Sequence, residues 1–262
     1  MIRIAYGLAA VALLASGARS EEETNLAVLK REIEQPDESK AREAAIRLAD
    51  LEGPAAFEMI LDELAIGAPP KVQGALLSAL GYRKEPRAWE VLALYVRNRN
   101  PELRKKAVVA MGELADPRAV GLLIAALSDA VTEVRSVAAQ ALGRRREAAA
   151  EAALIKLLTH KDEAAVEAVA AIGNASTARK LGELFGQIPD SLLAETLSGL
   201  LKRQDFGPEP IRVEVVKTLG KVPGPSATEA LKEYLAATSG ERDKERGSHL
   251  EAKKAIEQRG GH

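Results

Sequence analysis

A period of thirty-one residues constrains this chain more than any other feature of its sequence. Pro86-Arg87-Ala88 is echoed by Pro117-Arg118-Ala119, and Ala110-Met111-Gly112 by Ala141-Leu142-Gly143. Recurrence at about 20 to 50 residues is the signature of stacked-repeat architectures. One copy, DPRAVGLLIAALSDAVTEVRSVAAQALG over 116–143, reads as two short helices joined by a tight turn. In the first, Asp116 can cap free amides and Pro117 suits the first helical position, which needs no donor. Val120, Leu123, Ile124 and Leu127 then share one face at helical spacing, and Val134, Ala138, Ala141 and Leu142 form the matching stripe of the second helix. Gly143 follows where a chain leaving a helix is expected to turn left-handed.

The second-helix signature recurs as Leu48-Ala49-Asp50, Ala79-Leu80-Gly81, Ala171-Ile172-Gly173, Leu197-Ser198-Gly199, Thr218-Leu219-Gly220 and Ala255-Ile256-Glu257. Its step is 31 residues up to Gly143, then 30, 26 and 21, so regularity decays along the chain. First helices are expected to start near Pro54, Pro86, Pro117, Ala148, Ser176 and Pro225, with one lost or compressed near 200–210. A single pair is too thin to bury enough apolar surface to offset its chain entropy, so neighbours must supply the rest. The expected fold is all-α: an α-solenoid over residues 21–259, a right-handed superhelix of about seven to eight helical pairs. A kink is expected at Gln204–Pro210, the strongest interruption, and a tail at 260–262.

Asp129 is followed six residues later by Arg135, and Asn98 by Arg104. On these residues the chain resembles the HEAT-like repeats first named for phycobilisome lyases. The resemblance implies a ladder in which the Asp or Asn and the Arg hydrogen-bond from copy to copy. Arg recurs at Arg42 and Arg212, but Gln73, Ala165 and Ser191 stand in the same column, so the ladder is expected to be interrupted. By analogy with the namesake family, the resemblance also admits a lyase-like or chromophore-handling enzyme.

Residues 1–20, MIRIAYGLAAVALLASGARS, have the three-part layout of a secretory leader: a basic residue, an apolar run from Ile4 to Ala15, then small residues. A cut before Glu21 is expected, with Ser16 and Ala18 as an alternative pair. The run is short for a bilayer span, although an uncleaved anchor or a hydrophobic first helix is the other reading. The expectation is export, to the periplasm or beyond, with no membrane span after leader removal.

Composition narrows the chemistry. Without cysteine, disulfides, thiol catalysis and thiolate metal sites are excluded. A net charge of −1 argues against a nucleic-acid partner, whose affinity rests on neutralised phosphates. His160, His249 and His262 do not share a helical face with a second ligand, so no metal and no cofactor are expected. Serines lie outside any nucleophile elbow, paired carboxylates sit in polar stretches, and glycines fall at helix ends instead of in a phosphate loop. No catalytic constellation is expected. Arg104-Lys105-Lys106 and Arg144-Arg145-Arg146 are either surface charge or a docking point for an anionic partner.

Counting from Val134 as the first position of the second-helix pattern, the third and seventh positions should face the inner, concave side. They are Glu43, Arg47, Ser78, Lys105, Val109, Ser136, Gln140, Val166, Leu192, Thr196, Val213 and Lys217, with Gly74 and Ala170 between them. A groove that is not densely charged suits a peptide or helix of another protein. The expected function is therefore a non-enzymatic interaction scaffold of the cell envelope, with a permanent structural subunit of an envelope complex as the alternative. Tyr82, on a turn just past Gly81, is a further candidate to touch a ligand.

Overall fold

A computed structural model describes residues 23–240 and 246–260. The leader expected over 1–20 and the end of the expected tail lie outside the described residues. The rest is α-helix linked by short turns: fifteen α-helices and three 3-10 turns, with no strand among the described residues. The described residues form an all-α solenoid of paired helices.

The chain divides into two compact units between Ala115 and Asp116. The interruption over 204–210 lies inside the second. The first unit holds α1 (residues 23–33), α2 (Glu38–Asp50), α3 (Pro54–Ile66), α4 (Pro70–Arg83), α5 (Trp89–Tyr95) and α6 (Pro101–Glu113). The second holds α7 (Ala119–Ala126), α8 (Thr132–Arg144), α9 (Glu151–Thr159), α10 (Val166–Ile172), α11 (Ala175–Glu183), α12 (Asp190–Lys202), α13 (Glu209–Lys221), α14 (Pro225–Ala237) and α15 (Gly247–Gly260).

The helix starts follow their capping chemistry. Asp37 Oδ1 accepts the amides of Ser39 and Lys40 at 3.0 and 3.2 Å, and Asn100 Oδ1 accepts that of Glu102 at 3.0 Å ahead of Pro101. Asn174 and Thr177 form a reciprocal capping box at the start of α11. Pro54, Pro70 and Pro225 open their helices, where the missing N–H costs nothing.

Even-numbered helices form one layer in each unit. In the first, α4 lies between α2 and α6; in the second, α8, α10, α12 and α14 follow one another. The core is the aliphatic stripe of each helix, with Leu48, Leu77, Leu80, Met111, Leu142, Val169, Leu197 and Leu200 all fully buried.

Two expectations are corrected. No first helix is lost near 200–210: α13 packs against α11 and α15, and α14 joins α12. The helix over 209–221 therefore takes the first-helix place although its sequence follows the second-helix pattern. The signature glycines also do not turn left-handed. Gly81, Gly143 and Gly199 lie inside helices; past the first two the positive φ falls on Lys84 (55°) and Arg146 (52°), and α12 ends on Arg203 without one. What these glycines permit is approach. A methyl on Gly143 would stand 3.0 Å from Ala168 Cα, and one on Gly199 would stand 2.6 Å from Ala170 Cβ.

Candidate functional site

The structure scatters the expected binding column. Glu43, Arg47, Ser136, Gln140 and Lys217 are exposed, and Val109 is 42% exposed; Ser78, Lys105, Val166 and Val213 are half-buried. Leu192 and Thr196 are not surface residues at all: they are 4% and 0% exposed, and the Thr196 hydroxyl donates to Leu192 O at 2.7 Å. The step into α12 is 26 residues, and one residue of slip turns a helix face by about 100°. On that helix the exposed positions are Ser191, Glu195 and Lys202. Val213 and Lys217 belong to α13, in the other layer, and Val213 Cγ2 lies close beneath Gly247.

In the first unit a cleft of about 660 Å³ crosses α2, α4 and α6. Of the expected residues it takes Ser78, together with Gly74. On the flanking helices the lining is one position off: Ile46 in place of Arg47, and Lys106 in place of Lys105. Arg47 turns to α1 and pairs with Glu32, while Lys105 pairs with Glu102 at 2.9 Å along its own helix. Ile46 (41% exposed) and Tyr82 (85% exposed) give the cleft its apolar surface, with Arg42, Lys71 and Lys106 as its cations. Lys71 pairs with Glu38 at 2.8 Å. Lys106 Nζ donates to Ser78 Oγ at 3.0 Å, and that hydroxyl donates to Gly74 O at 2.9 Å. Sequence reasoning singled out Tyr82 but missed Ile46, which looks like an ordinary stripe residue.

In the second unit the face across α10, α12 and α14 carries the opposite charge. A cleft of about 520 Å³ across α10, α12 and α14 is lined by Glu167, Glu195, Glu229 and Glu233, with Lys202 bound to Glu233 at 2.9 Å. A further cleft beside α8 and α9 takes Ser136 and surrounds one rung of the implied ladder. There Arg135 Nε meets Asp162 Oδ2 at 2.5 Å, and its Nη1 donates to Asp129 O at 2.9 Å. In the first unit Arg104 Nη1 makes the matching bond to Asn98 O at 2.9 Å. Arg212 does otherwise, donating to Leu201 O at 2.9 Å and Gln204 O at 3.2 Å.

A second set of arginines ties copies together. Arg83 donates to Ala49 O and Leu51 O at the end of α2, and Arg203 to Ala170 O (3.0 Å) and Gly173 O (2.7 Å) at the end of α10. Arg259 reaches Leu219 O (3.3 Å) and Gly220 O (3.0 Å) at the end of α13. Each places a cation where a helix leaves carbonyls unpaired at its negative end. The signal was present as Gly-x-Arg at 81–83 and 143–145. Arg145 indeed reaches Asp116 O at 3.3 Å and Glu147 at 3.1 Å. Arg146 pairs with Asp205, whose carboxyl is held well below the usual range by Arg203 and then Arg146. Arg104, Lys105, Arg145 and Arg146 thus direct their charge onto their own chain, whereas Lys106 meets only the Ser78 hydroxyl.

A largely buried polar cluster joins α13, α14 and α15. Tyr234 Oη meets Ser248 Oγ at 2.8 Å, and Glu209 Oε1 accepts the Ser248 amide at 2.7 Å, capping α15. His249 Nδ1 meets Thr238 Oγ1 at 3.1 Å, and that hydroxyl donates to Tyr234 O at 2.7 Å. The imidazole is therefore directed to Thr238 and not to the neighbouring serine. Among the described residues no group of His, Cys, Asp and Glu could hold a metal ion, and no helix is long and apolar enough to cross a membrane.

The family model described as HEAT repeats matches residues 57–143 and 120–200, together 57–200, or 144 of 262 residues. No curated protein matches the chain. Among solved structures it is similar to the CpcE–CpcF complex of phycocyanin lyase from a Nostoc species, at 22% identity and a TM-score of 0.47, covering 80% of this chain and 97% of that one. Human deoxyhypusine hydroxylase aligns at 22% identity and a TM-score of 0.41, covering 92% and 99%. An engineered protein aligns at 20% identity and a TM-score of 0.43, covering 90% and 82%. The chain belongs to the HEAT-repeat family.

Proposed function

We propose that this chain is a non-enzymatic scaffold of the cell envelope that holds a segment of another protein against its second-helix layer, at the α2–α4–α6 cleft. The observation that carries the reading is the pairing of Ile46 and Tyr82. Two large apolar side chains stand open to water on neighbouring helices of one cleft, flanked by cations. Exposed apolar anchors in a groove between helices suit a protein segment laid across them. Localisation rests on the leader layout of residues 1–20 and the non-enzymatic reading on the lack of converging acid, base and nucleophile.

The test is capture from an envelope fraction with the wild-type chain and with an Ile46→Glu/Tyr82→Glu variant of unchanged circular dichroism. One discrete partner, retained by the first and lost by the second, is expected. Equal retention by both would remove the cleft from the account, and small-molecule turnover by the purified chain would remove the non-enzymatic reading. For export, the mature N-terminus is expected at Glu21; a cytoplasmic chain still starting at Met1 would contradict it.

A further inference from the structure

Gly74 stands inside α4, where glycine is a poorer helix former than alanine. A methyl there would stand 3.2 Å from Lys106 Cε and 3.4 Å from Lys106 Cδ. The missing side chain lets the lysine stem lie flat across α4, and the Ser78 hydroxyl, itself anchored on Gly74 O, fixes its ammonium. Lysine normally spreads over many rotamers, and holding it costs entropy. This one is held in a cleft of about 660 Å³, and among the described residues it faces no carboxylate at bonding distance. An ammonium has three donors; Ser78 takes one.

We propose that Lys106 is the receptor for a carboxylate on the bound segment, so that the partner is an acidic amphipathic stretch with an Asp or Glu beside its apolar anchors. This rests on the cleft reading above and specifies its occupant. Arg42, unpaired among the described residues, lines the same cleft and extends the positive rim, while Asp50 and Glu102 at the edge disfavour a strongly acidic polymer. Ile46 and Tyr82 favour a polypeptide over a bare inorganic anion, because they offer an anion no hydrogen bond worth the desolvation. Ser78 is a positioning residue: it holds the ammonium and need not touch the partner.

The test uses two labelled amphipathic helical peptides, identical except that every glutamate of the first is glutamine in the second, titrated by anisotropy at fixed ionic strength. The glutamate peptide is expected to bind about tenfold more tightly. Lys106→Met should remove that preference while leaving the glutamine peptide unchanged, and Ser78→Ala should reduce it about threefold. Tyr82→Ala should weaken both peptides equally. If both bind alike and respond to Tyr82→Ala but not to Lys106→Met, the acidic partner is wrong and the cleft stands. If neither binds at millimolar concentration, the cleft falls with it. Inorganic phosphate at matched ionic strength is expected to leave the peptide bound; displacement by it would mark a small-anion site and overturn the proposal.

Discussion

The even layers of the two units are built on the same pattern and present opposite surfaces. In the first unit the face across α2, α4 and α6 is cationic and leaves Ile46, Tyr82 and Val109 open to water. In the second, the face across α10, α12 and α14 is acidic, and its helices close onto one another through small residues, as where Gly199 meets Ala170. One repeat can thus spend its small residues on approach between neighbours or keep larger ones for a partner. Both units use close approach, as where Gly81 meets Ala110 between α4 and α6; among the described residues only the first also leaves large apolar side chains exposed on this layer.

The harshest way to break this contrast is to add bulk. Gly199→Val should destabilise the chain by about 2–3 kcal/mol in urea unfolding, because the new side chain collides with the backbone-borne Ala170 Cβ. Gly74→Ala should stay within about 1 kcal/mol, since its neighbour is a flexible lysine stem and the helix gains propensity. Equal losses at the two sites would erase the distinction.

Next comes the arginine set. Arg203→Ala should cost about 2 kcal/mol by stranding Ala170 O and Gly173 O. Arg47→Ala, which removes an exposed pair with Glu32, should cost under about 1 kcal/mol. The same denaturation series checks both.

The contrast is sharpest at Tyr82. Tyr82→Ala should change stability by less than about 0.5 kcal/mol, its ring being 85% exposed, while weakening partner binding about tenfold. Calorimetry and a binding isotherm on one preparation separate the two.

The smallest effect concerns Glu63, buried in α3. Burial raises its carboxyl above the ordinary value, with Lys30 pulling the other way. A folded-state value above the unfolded one means that the folded chain binds the proton more tightly, so ionisation at neutral pH costs stability. Glu63→Gln should melt higher than wild type at pH 7, and the gap should close as pH falls toward the unfolded carboxylate range. A gap that widens on acidification would reverse the sign.

The repeat and the helix pairs were legible because a step of 31 keeps each copy in phase. Pro54 and Pro225 open helices where the sequence placed helix starts. The binding face was legible only in part. Ile46 and Lys106 line the cleft one place from Arg47 and Lys105, and Leu192 and Thr196 are buried because the shorter step turns α12 on its axis. The place of α13 was hidden because its apolar stripe fits either layer, and only packing against α11 and α15 decides between them. The arginines at 203 and 259 were missed for a different reason: they lie outside the Gly-x-Arg spacing that marks Arg83, and their acceptors are backbone carbonyls, which leave no letter in the sequence.

The most direct test maps the bound glutamate peptide by amide chemical shifts on isotope-labelled chain. Perturbations are expected to group on Ile46, Gly74, Ser78, Tyr82 and Lys106, with α10, α12 and α14 silent. Shifts grouped instead on Glu195, Glu229 and their neighbours, or on the odd-numbered helices, would contradict the cleft reading.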